Sequence, residues 1–206
     1  AKIDIIEVGH GDGLTGASCN YGFSKIDDFQ AIEAAASVCK FSKIAVLCIP
    51  GIAIVPDLAK AKESGSTVLR VATHVTEADV SWEHITNAKE LGYFVVGFLM
   101  MAHRASVERI VLEAKKMESY GADVVYATDS AGAMVPDDVN QRISALCSEL
   151  KIPIGYHSHN NLGLSIGNSL AAIKAGATYI DASLGGFGAG AGNTPTEVLA
   201  TVLKKC

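Results

Sequence analysis

Two histidines one residue apart, His157-Ser158-His159, close the apolar run Ile152–His157. In a strand, residues i and i+2 project from the same face, with Cα atoms roughly 6.5–7 Å apart. Two imidazoles aimed at one interior point can share a divalent cation. They can also be two hydrogen-bonded polar groups at the mouth of a barrel. A two-histidine site usually takes a carboxylate as well. The candidates by position are Glu7, Asp12, Asp129 and Asp181, and Asn193 could add a neutral oxygen. Glu7 also has a structural reading, as the partner of an interior cation such as Arg70, and Asp181 has one as a hydrogen-bonding strut.

A metal acting as a Lewis acid on a carbonyl is one route to breaking a carbon–carbon bond. An imine-forming lysine is the other, and it must stand inside the fold near the carboxyl ends of strands. Lys2, Lys43 and Lys151 fall at strand starts, Lys25 lies in a polar loop, and the remaining lysines outside the loops fall in helical stretches. The metal route therefore fits better. The run Gly185–Gly192 matches neither GxGxxG nor GxxxxGK[ST], so a nucleotide fingerprint is excluded. Its glycines suit close backbone approach and exposed N–H donors. Asp129-Ser130-Ala131-Gly132 reads either as an ordinary turn or as a cradle whose amides, helped by Ser130, bind a carboxylate.

The elements that must position these groups recur regularly. Apolar, β-branched runs occupy Ile3–Gly9, Lys43–Ile49, Thr67–Thr73, Tyr93–Met100, Asp123–Thr128, Ile152–His157 and Tyr179–Leu184. Segments of helical period follow at Asp27–Lys40, Val55–Ser64, Asp79–Leu91, Ser106–Tyr120, Pro136–Leu150, Leu162–Ala175 and Thr196–Lys205. Near-continuous hydrophobic strands are covered on both faces, as in parallel sheets. The alternation predicts an α/β fold, and its spacing fits a TIM (β/α)8-type barrel with seven of the eight units visible. An open doubly wound sheet is the rival. The polar residues within strands, Glu7 and Arg70, favour the barrel, whose interior can pair them. In either fold, ligands bind at the carboxyl ends of strands, where the histidines, Asp129-Ser130 and the glycine run all fall.

The 206 residues are 49% hydrophobic and 19% charged, enough for one buried core and a single, partial barrel domain over 1–206. A formal net charge of -5 argues against nucleic acid as a main partner. No apolar run approaches the ~18 residues that would suggest a membrane span. Five widely spaced cysteines without CxxC spacing read as free thiols of a cytoplasmic protein.

Several ordered strings resemble 4-hydroxy-2-oxovalerate aldolase, a metal-dependent pyruvate aldolase of the HMG-CoA lyase-like barrel group. They include Ile5–Leu14 followed by Asn20-Tyr21-Gly22-Phe23, Arg70–His74 with Thr76–Asp79, and Gly97–Met101. Met117–Ala122, His157–Leu162 and Asp181–Leu184 with Gly188–Asn193 continue the likeness nearly from end to end. The resemblance implies retro-aldol cleavage of 4-hydroxy-2-oxopentanoate to pyruvate and acetaldehyde with Mn²⁺ or a similar ion. It also implies a role in breakdown of aromatic compounds, transfer of the aldehyde to an acylating acetaldehyde dehydrogenase, and possible homo-oligomers. By motif match His157 and His159 are metal ligands, His157 also lies near substrate, Ser130 holds the pyruvate carboxylate, and Asn193 is a further ligand. The family's Arg-Asp-Gly strand, with its third ligand, enolate-stabilising arginine and nearby base, is missing here, as is its C-terminal helical region. The expectation is therefore the middle of a longer enzyme, nearly inactive alone. An acyl-CoA-dependent synthase or lyase of the same group, and a scaffold that has lost its chemistry, stand as alternatives.

Overall fold

The computed structural model describes residues 3–205, so Lys2 and Cys206 lie outside the described residues. Seven strands run parallel in chain order: β1 (Ile5–Glu7), β2 (Lys43–Cys48), β3 (Val68–His74), β4 (Phe94–Met100), β5 (Val124–Asp129), β6 (Ile154–Ser158) and β7 (Tyr179–Ile180). Between and after them lie α1 (Asp28–Val38), α2 (Val55–Glu63), α3 (Trp82–Glu90), α4 (Val107–Tyr120), α5 (Pro136–Glu149), α6 (Ser165–Lys174) and α7 (Thr196–Leu203). Local signals start and stop these helices. Asp27 accepts the Gln30 amide at 2.8 Å and Ser106 accepts that of Arg109 at 3.3 Å. Asp57 and Asp138, one and two residues after a proline, accept the amides of Ile54 and Val135. Gly121 ends α4 in the left-handed region.

Alternate residues of the strands build two apolar layers, which is why the strands read as unbroken hydrophobic runs. Residues such as Leu69, Val71, Val95 and Leu99 pack outward against Ile110, Met117, Ile143 and Leu146 of the helices. Ala45, Val68, Ala72, Val96, Phe98, Val124 and Tyr126 form a second cluster on the concave side. The sheet is curled enough for Arg70 of β3 to reach both Glu7 of β1 and Asp181 just beyond β7. An open, helix-sandwiched sheet could not bring those strands to one side chain, and the (β/α) barrel expectation holds with seven units.

The structure shortens several expected elements. β1 and β7 pair on one side only among the described residues, and their ladders cover three and two residues. The helix expected from Asp79 is split into a 3₁₀ turn, Ala78–Ser81, and α3. The sixth helix starts at Ser165, not Leu162, because Gly163 donates to the Asn160 carbonyl and the Asn160 side chain caps the Ser165 amide. The described cysteines, Cys19, Cys39, Cys48 and Cys147, are all free thiols.

Gly155, on the concave face of β6, leaves room for the Tyr126 ring. A Cβ there would stand 2.2 Å from the nearest ring atom. Tyr126 is buried and wedged beside Phe98, with centroids 5.7 Å apart, so it cannot swing away. Gly155→Ala is expected to cost about 1–3 kcal/mol of stability by overpacking, measured as a lower urea midpoint. An unchanged midpoint would show that the interior yields freely.

Candidate active site

Strand register decides which polar groups face the interior. Thr128 is paired with His157, and Asp129 with Ser158. His157 therefore points inward and Asp129 points toward the helices. His159 follows at i+2 on the His157 side, and the two rings stand with centroids 5.1 Å apart. They are neighbours on one face, as the spacing predicts.

Each ring is held by its Nδ1. His157 Nδ1 lies 2.9 Å from Asp181 Oδ2, and His159 Nδ1 lies 3.3 Å from the Ala189 carbonyl oxygen. Both partners are acceptors, so both rings donate from Nδ1, and a neutral ring so held presents Nε2 as a lone pair. Among the described residues neither Nε2 has a hydrogen-bond partner. This is the arrangement in which ligating histidines are oriented from behind. Burial, and then the neighbouring His157, lower the His159 pKa, which keeps that imidazole neutral.

Beneath the pair lies an ionic bridge. The Arg70 guanidinium donates to Glu7 at 2.6 Å and, through its other terminal nitrogen, to the same Asp181 oxygen that holds His157. It stacks 4.4 Å from the Phe98 centroid and 5.1 Å from that of Tyr126. Burial alone would raise the Asp181 pKa, but the Arg70 charge and the His157 hydrogen bond outweigh it and hold the carboxyl well below the usual range. Burial, then the Asp181 charge, raises the Tyr126 hydroxyl far above its ordinary value, so it stays neutral. Asp181 and Glu7 are thus occupied as struts, and their structural readings prevail.

The remaining candidates separate clearly. Asp129 is fully buried on the outer side, where its oxygens accept the Ala133 and Met134 amides at 3.0 and 2.9 Å. It shapes the turn that carries Ser130, and its place as a metal carboxylate is withdrawn because those bonds fix it on the other face of the sheet. Asp12 lies in the exposed β1–α1 loop, where Tyr21 bonds to it. Ser130 Oγ accepts the Met101 amide at 2.9 Å, which leaves its own hydrogen free to donate. Met101 adopts φ 60°, unusual for a residue with a side chain. Asn193 pairs with His159 in an isolated antiparallel bridge, donates through Nδ2 to the Phe187 carbonyl at 3.3 Å, and keeps a buried Oδ1 with no partner. Lys43 lies 5.5 Å over the Phe94 ring at the amino ends of the strands, away from the histidines. The pieces reasoning from sequence missed are the Ala189 carbonyl, the Met101 amide and the Asn161 side chain. The first two are backbone groups and carry no residue signal.

Among the described residues no three His, Cys, Asp or Glu side chains gather into a cage for a metal ion. Among the described residues, two Nε2 atoms without a hydrogen-bond partner and the orphaned Asn193 Oδ1 are the donors at hand. That set suits a borderline divalent cation, and it leaves coordination positions for further donors.

The HMGL-like family model matches residues 1–206. The chain belongs to the HMGL-like family. Curated relatives named 4-hydroxy-2-oxovalerate aldolase are 58% identical in Geobacillus thermodenitrificans, 57% in Pelotomaculum thermopropionicum and 56% in Carboxydothermus hydrogenoformans. Each alignment covers the whole chain, but the chain spans only 60–61% of the length of these relatives. Among solved structures, the N-terminal domain of a proposed aldolase from Bacteroides vulgatus superposes with a TM-score of 0.83 at 26% identity, covering 98% of this chain and 68% of that one. The carboxyl transferase domain of Rhizobium etli pyruvate carboxylase superposes with a TM-score of 0.78 at 16% identity, over 86% of this chain and 33% of that one, a likeness of fold.

Arg70→Met fills much of the same volume beside the rings but loses the cation and strands two carboxylates. A broken buried pair costs about 3–5 kcal/mol; because Glu7 is 36% exposed, about 2–4 kcal/mol is expected here, read from urea unfolding. Adding Glu7→Gln should return part of the loss. No recovery would mean that packing, not charge, makes Arg70 necessary.

Proposed function

We propose that the intact protein is a metal-dependent aldolase cleaving 4-hydroxy-2-oxopentanoate to pyruvate and acetaldehyde. The observation that carries this reading is the pair of adjacent imidazoles, each held through Nδ1, at the carboxyl ends of the strands. The relatives' names and the family support it.

His157 and His159 would hold the cation through Nε2, Mn²⁺ in this reading, with the Asn193 Oδ1 as a neutral donor. When bound, such an ion supplies Lewis acidity to the carbonyl oxygen of a 2-oxo acid. The chain's own residues do the rest of the positioning. Ser130 donates its hydroxyl hydrogen to the substrate carboxylate, beside the amides of the Asp129–Gly132 turn. Asp181 keeps His157 in the tautomer that faces the mouth and fixes its ring. Phe98, Tyr126 and the stacked Arg70 fill the space below and exclude water from beneath the reacting carbons. The proton leaving the 4-hydroxyl needs a base, and no group described above is free for it: both imidazoles serve as ligands, and Glu7 and Asp181 are paired with Arg70. The resemblance places the base beside an Arg-Asp-Gly motif, which the 206 residues do not contain. The same resemblance assigns the aldehyde product to an acylating acetaldehyde dehydrogenase. No helix among the described residues is long and apolar enough to cross a membrane.

In the intact protein, His157→Ala with His159→Ala is expected to abolish bound Mn²⁺ and lower pyruvate release by at least about 100-fold, with the far-ultraviolet circular dichroism unchanged. Retained metal and turnover would sink the reading. Release of an acyl-CoA in place of free aldehyde would assign the chain to a synthase or lyase of the same group. Asp181→Asn should weaken Mn²⁺ affinity by about 10–100-fold, as loss of an orienting partner does, measured by metal titration; affinity equal to that of the unaltered protein would show that the Asp181 bond does not tune the ligand.

A further inference from the structure

Two loops flank the histidines, and one exposed side chain ties them together. The Asn161 amide nitrogen Nδ2 donates to the Ala131 carbonyl at 2.6 Å. Its Oδ1 accepts the Ala191 amide at 2.8 Å. Ala131 belongs to the turn that carries Ser130. Ala191 belongs to the glycine loop, two residues after the carbonyl of Ala189 that holds His159 Nδ1. The amide's orientation is set by its partners, because one end meets a carbonyl and the other an N–H.

Both loops are cut to receive it. A Cβ on Gly190 would stand 2.8 Å from Asn161 Oδ1, and one on Gly132 would stand 2.6 Å from the Asn161 backbone nitrogen. Each glycine has a positive φ, 64° and 57°, that side-chain-bearing residues adopt at a cost. Backbone bonds support the same loops, and the Gly192 amide donates to the Ala189 carbonyl at 3.1 Å. Leu162 donates to the Gly132 carbonyl at 3.2 Å and Asn160 to that of Gly192 at 2.8 Å, but neither grips Ala131 or Ala191.

We propose that Asn161 is a positioning residue acting on two functions through two separable arms. The Oδ1 arm sets the glycine loop, and through Ala189 the direction of the His159 ring and of its Nε2. The Nδ2 arm sets the Ser130 turn, and through it the pocket for the substrate carboxylate. This rests on the aldolase reading for the second arm; the first arm stands on hydrogen bonds alone.

Two variants of the intact protein separate the arms. Asn161→Ala removes both. Asn161→Asp keeps an acceptor for the Ala191 amide and loses the donor to Ala131. In the metal-free protein, Asn161→Ala is expected to speed hydrogen exchange of the Ala191 amide and to alter the ¹⁵N signature of His159, whereas Asn161→Asp leaves both unchanged. With metal, Asn161→Ala should weaken Mn²⁺ affinity by about 10-fold, the lower end for an outer partner, and raise KM for the 2-oxo acid. Asn161→Asp should raise KM by a similar factor with Mn²⁺ affinity within about threefold of the unaltered protein. Unchanged exchange, affinity and KM in both variants would overturn the proposal. So would parallel losses in both that track a common fall in Tm, since that marks a plain structural strut. Failure of the aldolase reading would appear differently, as no turnover in the unaltered protein beside an intact exchange and ¹⁵N response.

Discussion

The Arg70 guanidinium is the constraint around which the interior is arranged. It draws a carboxylate from each end of the sheet onto one group. A buried charge of this kind is costly unless every donor finds a partner. Satisfying it requires that the sheet curl, that β1 present Glu7 inward, and that the chain just after β7 turn Asp181 back toward β3. Phe98 and Tyr126 then have a flat cation to stack on, and Gly155 gives the tyrosine its place. Fold and charge balance are therefore one problem with one solution.

The site inherits its order from that bridge. The Asp181 oxygen bonded to Arg70 also holds His157, so the ring's direction derives from an ion pair and not from a mobile side chain. His159 takes its direction from a backbone carbonyl of the glycine loop. One imidazole is thus anchored in the sheet and the other in a loop, and the loop is held in place by tethers from neighbouring turns. The sheet fixes one half of that geometry and hydrogen bonds between turns fix the other.

Much of this was legible in residue types. The alternation of β-branched runs and helical stretches gives seven parallel units. The i, i+2 spacing of His157 and His159 places both rings on one face. Glu7 and Arg70, polar residues inside apolar strands, announce each other as partners. Other features were hidden because identity alone does not report direction. Asp129 sits at the right end of its strand, yet one residue of register turns it to the outer face, where backbone amides absorb it. Asp181 reads as ligand or strut with equal ease until its two partners are seen together. The extent of β7 depended on pairing from one side only, which no local pattern encodes.

The left-handed backbone at Met101 has a consequence for recognition. That conformation costs a residue with a side chain on the order of 1 kcal/mol, and it aims the Met101 amide at the Ser130 oxygen. With one lone pair engaged, the hydroxyl turns its hydrogen outward, toward whatever anion enters. A serine does not ionise in water at physiological acidity, so this donor is present whether the surrounding imidazoles are charged or neutral. In the proposed reading, a carboxylate captured at that turn meets a donor that does not titrate, at the expense of one left-handed residue at the exit of the neighbouring strand.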